Sequence, residues 1–145
     1  MKEWPPVQLD EKITATPEGV VEECYRLISF PPGSEPNWDE FKSLFQEKAV
    51  LSLRVFPEDD SVTVMDLDEY TIIQMRPGMK KEGYTETVVR EDWFKQGDFA
   101  TCQVIFDMQF GDTPPVRCFD DFHLIKRDSR WWIVSIIGET RDIES

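Results

Sequence analysis

His123 is the only histidine in the chain, and it stands two residues from Asp121. In an extended strand, residues two apart share a face, so the carboxylate can orient the imidazole. The pair would serve as a general base or as the polar spot of a pocket. Phe119 and Ile125 would lie on the same side. The opposite side, Cys118, Phe122 and Leu124, is equally apolar, so alternation leaves open which face points inward. One histidine cannot build a zinc site of several imidazoles. A serine triad would need His123 as its base, and no Gly-x-Ser-x-Gly elbow is present. Phosphate-cradling and dinucleotide-binding glycine motifs are absent as well. The acidic runs Glu22-Glu23, Glu58-Asp59-Asp60 and Asp120-Asp121 lack the spaced oxygen ligands of a calcium loop. Neither a metal nor a cofactor is therefore expected.

The bulk composition narrows the partners. The 145 residues hold 16 Lys+Arg against 29 Asp+Glu, a formal net charge of −13. Such a field opposes binding to nucleic acid or anionic lipid and favours a neutral or apolar ligand. No run approaches a membrane span or the apolar core of a secretory signal. Cys24, Cys102 and Cys118 are odd in number and form no Cys-x-x-Cys pair. Buried free thiols in a reducing cytoplasm are expected.

The elements that must position these groups follow from period and punctuation. Residues 1–16 contain prolines and no period, and read as an N-terminal arm before a single domain, 17–145. Thr16-Pro17-Glu18 starts a helix that carries Val20, Val21, Cys24, Leu27 and Ile28 on one face and stops at Pro31-Pro32-Gly33. A second helix, from Asn37 to about Gln46, places Trp38, Phe41, Leu44 and Phe45 on one side. Ala49 to Phe56 and Ser61 to Met65 read as a short hairpin. Asp66 and Glu69 form a capping box for a third helix bearing Leu67, Tyr70 and Ile73.

From Tyr84 the period becomes two. Strands are expected over Tyr84–Phe94, Phe99–Phe110, Val116–Lys126 and Arg130–Ile137, with turns at Lys95-Gln96-Gly97-Asp98 and Asp128-Ser129. The short links require antiparallel neighbours. The expected class is α+β: a curved antiparallel sheet of about four long strands plus a short N-terminal hairpin, wrapped around three helices. Asp107 interrupts the strand whose other face carries Cys102, Val104, Phe106, Met108 and Phe110. Trp131 and Trp132 point to opposite faces, one to the core and one to an interface.

The run Asp120-Asp121-Phe122-His123-Leu124-Ile125-Lys126-Arg127-Asp128-Ser129-Arg130-Trp131-Trp132-Ile133-Val134 resembles the closing hairpin of the nuclear transport factor 2-like superfamily, which includes the SnoaL-like polyketide cyclases. Asn37-Trp38-Asp39-Glu40-Phe41, Asp66-Leu67-Asp68-Glu69-Tyr70 and Gly83-Tyr84-Thr85-Glu86-Thr87 resemble other segments of that pattern, in particular of an uncharacterised bacterial subgroup. Ser129 stands where glycine is common. The resemblance implies a cone with a pocket at its wide end and a homodimer formed through the outer sheet face. It also implies either binding of a small apolar or aromatic metabolite or, alternatively, a cofactor-independent isomerase, dehydratase or cyclase using an Asp/His or Asp/Tyr pair. A protein-interaction adaptor is the remaining alternative. On that resemblance Tyr25 joins Asp121 and His123 as a catalytic candidate, and Tyr70, Tyr84, Phe106 and Asp107 are candidate ligand contacts.

Overall fold

Thr16 starts the long helix as its residue type predicts. Its hydroxyl accepts a hydrogen bond from Gly19 N at 3.0 Å, Pro17 takes the first helical position, and the helix, α2, runs Pro17–Ile28. This computed structural model describes residues 3–143. The segment ahead of α2 is not a free arm. It holds a four-residue helix, α1 (Glu11–Thr14), capped by Asp10. Trp4 donates its indole N–H to the Phe45 carbonyl at 2.8 Å, and Val7 N donates to Ser43 Oγ at 3.0 Å. One helical turn is too short to display a period, so sequence pattern misses it.

Helix α3 spans Trp38–Lys42, shorter than expected. Strand β1 begins at Phe45 and ends at Leu53. Phe41, Leu44 and Phe45 are all buried, as a helix face would be, but the chain changes element between them. Apolar residues three and four apart fit either reading over so short a run. Strand β2 (Thr63–Met65) folds back on β1, and Asp66 then caps α4 (Leu67–Gln74). The capping box is complete: Glu69 N donates to Asp66 Oδ1 at 2.8 Å, and Asp66 N to Glu69 Oε1 at 3.0 Å. A short α5 (Met79–Glu82) leads into the meander of β3 (Tyr84–Gln96), β4 (Phe99–Phe110), β5 (Val116–Arg127) and β6 (Arg130–Glu139). Asp128 and Ser129, at φ 54° and 64°, make the two-residue turn between the last two strands.

The six strands form one sheet in the order β2-β1-β6-β5-β4-β3. Its pairs are antiparallel except β1 with β6, where Leu51 faces Ile136 in parallel register. The four-stranded meander is antiparallel, as its short links require. The parallel pair joins the two ends of the domain, whose long connection imposes no antiparallel turn.

Residues paired across a ladder share a face. Cys102 pairs with Phe122 and Phe106 with Cys118. With Leu51, Ile133 and Ile136 they are buried on the side that covers α2. This settles the parity of β5: Cys118, Asp120, Phe122 and Leu124 face inward, and Asp121 and His123 face outward. Trp131 belongs to the core. Trp132 lies on the outer side yet is also buried, under the Arg130 guanidinium 3.6 Å from its ring. Among the described residues no helix is long and apolar enough to cross a membrane.

Asp66→Ala removes the cap of α4 and should cost about 1 kcal/mol of stability in urea unfolding, with Asp66→Ser recovering most of it.

Candidate functional site

A cavity opens between α2, α4 and the inner face of the sheet. Its space available to the centre of a water molecule is about 40 Å³. A space of that size takes a few water molecules or a compact ligand of a few heavy atoms. Most of the wall is apolar, supplied by Phe41, Leu51, Leu53, Phe106, Phe122 and Ile136.

Two carboxyls break this wall. Asp120 enters from β5 and Glu86 from β3, each on the inward side of its strand. Tyr25, on α2, donates its hydroxyl to Asp120 Oδ2 at 2.7 Å. The Tyr25 ring packs on Phe106 and Phe122, at 5.4 and 5.7 Å between centroids, and these contacts fix where the hydroxyl points. Tyr84 donates its hydroxyl to Glu86 Oε2, and Glu86 N donates to Ser29 Oγ at 3.0 Å at the end of α2. Gly138 of β6 makes room for Asp120. A Cβ there would lie 2.4 Å from Asp120 Oδ1 and 2.8 Å from Leu53 Cδ2, so the carboxyl can lie against the β6 backbone only because the side chain is missing.

The electrostatics follow from enclosure. Burial pushes the Asp120 carboxyl up to about 7, against the opposing pull of the Tyr25 hydrogen bond. Burial, and then the charge of Asp120, pushes Glu86 up to about 8, with the Tyr84 hydrogen bond again opposing. The two therefore titrate as a pair. Burial and the nearby carboxylates hold the Tyr25, Tyr70 and Tyr84 hydroxyls well above the ordinary phenol range. Gln74, at the end of α4, is 3% exposed and lines the same cavity. Its Nε2 has no hydrogen-bond partner among the described residues.

The structure brings Tyr25, Tyr70, Tyr84 and Phe106 to the cavity wall. It does not bring the other three candidates there. Asp121 and His123 lie on the outer face, 3.6 Å apart, with the His123 side chain 46% exposed. This corrects the expectation of a pocket dyad, because strand parity turns the neighbouring Asp120 inward instead. Asp107 is likewise on the outer face, where it accepts a hydrogen bond from Arg117 Nε at 2.6 Å. Sequence reasoning passed over Asp120, Glu86 and Gln74. A signal for Asp120 was present: it interrupts the apolar set Cys118, Phe122 and Leu124. Glu86 shares a face with Tyr84, and Gln74 follows Tyr70 by one helical turn. The three cysteines are free and buried. Among the described residues no group of three or more His, Cys, Asp or Glu could hold a metal ion.

No protein-family model matches the sequence, and no curated protein matches it. Solved structures do resemble the fold. A nuclear transport factor 2-like (NTF2-like) protein of unknown function from Pseudomonas putida KT2440 superposes with a TM-score of 0.68 at 10% identity, over 91% of this chain and 89% of that one. A protein from Novosphingobium aromaticivorans, provisionally described as an aromatic ring hydroxylase, gives 0.65 at 12% identity, over 92% of each chain. An NTF2-like protein with a cystatin-like fold from the same organism gives 0.64 at 10% identity, over 87% of this chain and 80% of that one. The chain has the NTF2-like, cystatin-like fold. At these identities the likeness is one of fold, and the chemistry rests on the cavity itself.

Both raised carboxyls make stability depend on pH in one direction. Their unfolded values lie near 4. The stabilisation from burying them neutral is complete below that value and is lost as pH rises through the folded values of about 7 and 8. Asp120→Asn and Glu86→Gln should therefore raise the melting temperature relative to the parent more in mildly alkaline buffer than near pH 4. A difference that is flat with pH in thermal unfolding would refute the burial.

Proposed function

We propose that the cavity is the binding site of a small organic molecule that makes polar contacts at one end and apolar contacts elsewhere. The observation that carries this reading is the Gln74 amide, buried and without a partner among the described residues, in the same largely apolar cavity as two carboxyls. A buried donor left without a partner costs about 1–3 kcal/mol, and an acceptor on a ligand removes that penalty. A library of fragments of about ten heavy atoms or fewer, screened by NMR, should contain binders that shift the Gln74 side-chain amide resonance. Gln74→Leu should weaken them. Absence of any fragment that moves cavity resonances would reject the site.

A second reading adds chemistry to binding. A carboxyl near neutrality, hydrogen-bonded to a tyrosine in an apolar pocket, can both take and return a proton at neutral pH. That supports cofactor-independent proton transfer by the Asp120–Tyr25 pair, in place of an Asp/His pair, as in an isomerase, dehydratase or cyclase.

The outer sheet face supports homodimer formation. Val50, Ile137, Phe94 and Phe99 lie on it, 43%, 49%, 65% and 64% exposed. Covering such side chains is favourable in water. Light scattering should give twice the chain mass, and Phe94→Glu with Ile137→Glu should return the monomer. A parent protein that is monomeric at tens of micromolar would dismiss the dimer.

A further inference from the structure

The charges around the cavity narrow its ligand, on the reading that it binds one. Among the described residues neither Asp120 nor Glu86 has an ion-pair partner. Arg54 reaches the wall, but its Nε donates to Glu139 Oε2 at 2.8 Å and its Nη1 to the Asp59 carbonyl at 2.7 Å. The titratable groups that face the carboxyls are Cys24 and Tyr25 from α2, Tyr70 from α4, Tyr84 from β3 and Cys118 from β5, all neutral when protonated. A half-buried carboxyl so placed in a largely apolar cavity either keeps its proton or takes a cation from outside.

Two further observations favour the cation, and a third calls for an oxygen on the same ligand. Tyr25, Tyr70, Tyr84, Phe41, Phe106 and Phe122 line the wall, and an ammonium group is attracted to aromatic ring faces. The net charge of −13 attracts cations and repels anions at long range. The Gln74 amide donor needs an acceptor, which neither the ammonium nor the wall provides. We propose that the ligand of this cavity is a small amine, bound as its ammonium ion against Asp120 and Glu86, with an oxygen that accepts from Gln74. Each carboxyl that ionises on binding gives its proton to solvent.

Three small probes of similar size and different charge test this: ethanolamine, ethylene glycol and glycolate, titrated into the full chain near neutral pH and followed by NMR. The amine should bind at least tenfold more tightly than the diol, and glycolate should not bind. Asp120→Asn and Glu86→Gln should each abolish the preference for the amine over the diol. Equal or tighter binding of the diol or of glycolate overturns the amine and leaves the cavity as a binding site. Silence from all three probes, with no fragment moving the cavity resonances, overturns both. The charge series on the unaltered protein decides the matter even where a variant fails to fold.

Discussion

Two half-buried carboxyl groups share one largely apolar cavity, and the surrounding elements are arranged to keep them there. Removing a carboxylate from water is unfavourable by several kcal/mol unless it is paired or protonated. Each group here has a tyrosine hydroxyl as its neighbour, and among the described residues neither has a cation. Tyr25 reaches Asp120 because α2 lies across the sheet. Tyr84 reaches Glu86 because the two stand two apart on the inner face of β3, and the bridge between Phe30 and Tyr84 ties the start of that strand to the segment after α2. Gly138 supplies the gap into which Asp120 fits. Helix, edge strand and central strand meet at one polar spot, so the site depends on the whole cone.

The two faces of the sheet divide the polar residues by parity. Inward positions meet α2 and the cavity, and a polar group there is desolvated. Outward positions meet water, and there Asp107 pairs with Arg117 and Asp121 with His123 at partial exposure. Solvent and salt screen groups in such positions, so they add little to stability. Asp120 and Asp121 are chemically identical neighbours, and a single step along the strand turns the first toward the cavity and the second toward water. A one-residue slip of β5 would exchange them, and Cys118, Phe122 and Leu124 would move into water.

Much of the architecture was legible in the chain. Thr16-Pro17, the Asp66/Glu69 box, Gly97-Asp98 and Asp128-Ser129 act locally, through hydrogen bonds and φ preferences spanning a few residues, and each appears where its chemistry predicts. Strand β4 alternates so cleanly that its limits coincide with those expected. The errors arose where local signals are weak. The single turn of α1 is too short to show a period. Phe41-Leu44-Phe45 satisfies helix and strand alike. The parallel β1–β6 pair depends on contacts between segments some eighty residues apart.

The site was legible only in part. Residue order alone shows which strands carry acidic residues, that Tyr70 belongs to a helix with Leu67 and Ile73, and that His123 stands two residues from a carboxylate. Strand β5 is apolar on both sides, so nothing local distinguishes Asp120 from Asp121. Only the tertiary structure decided which side faces α2, because that choice rests on the ladder partners Cys102 and Phe106 and on the fit of Asp120 against Gly138. The same packing buries Gln74 without a partner and places Glu86 in the cavity with Asp120. Desolvation depends on everything that surrounds a group, and for these residues that surrounding comes from distant parts of the chain.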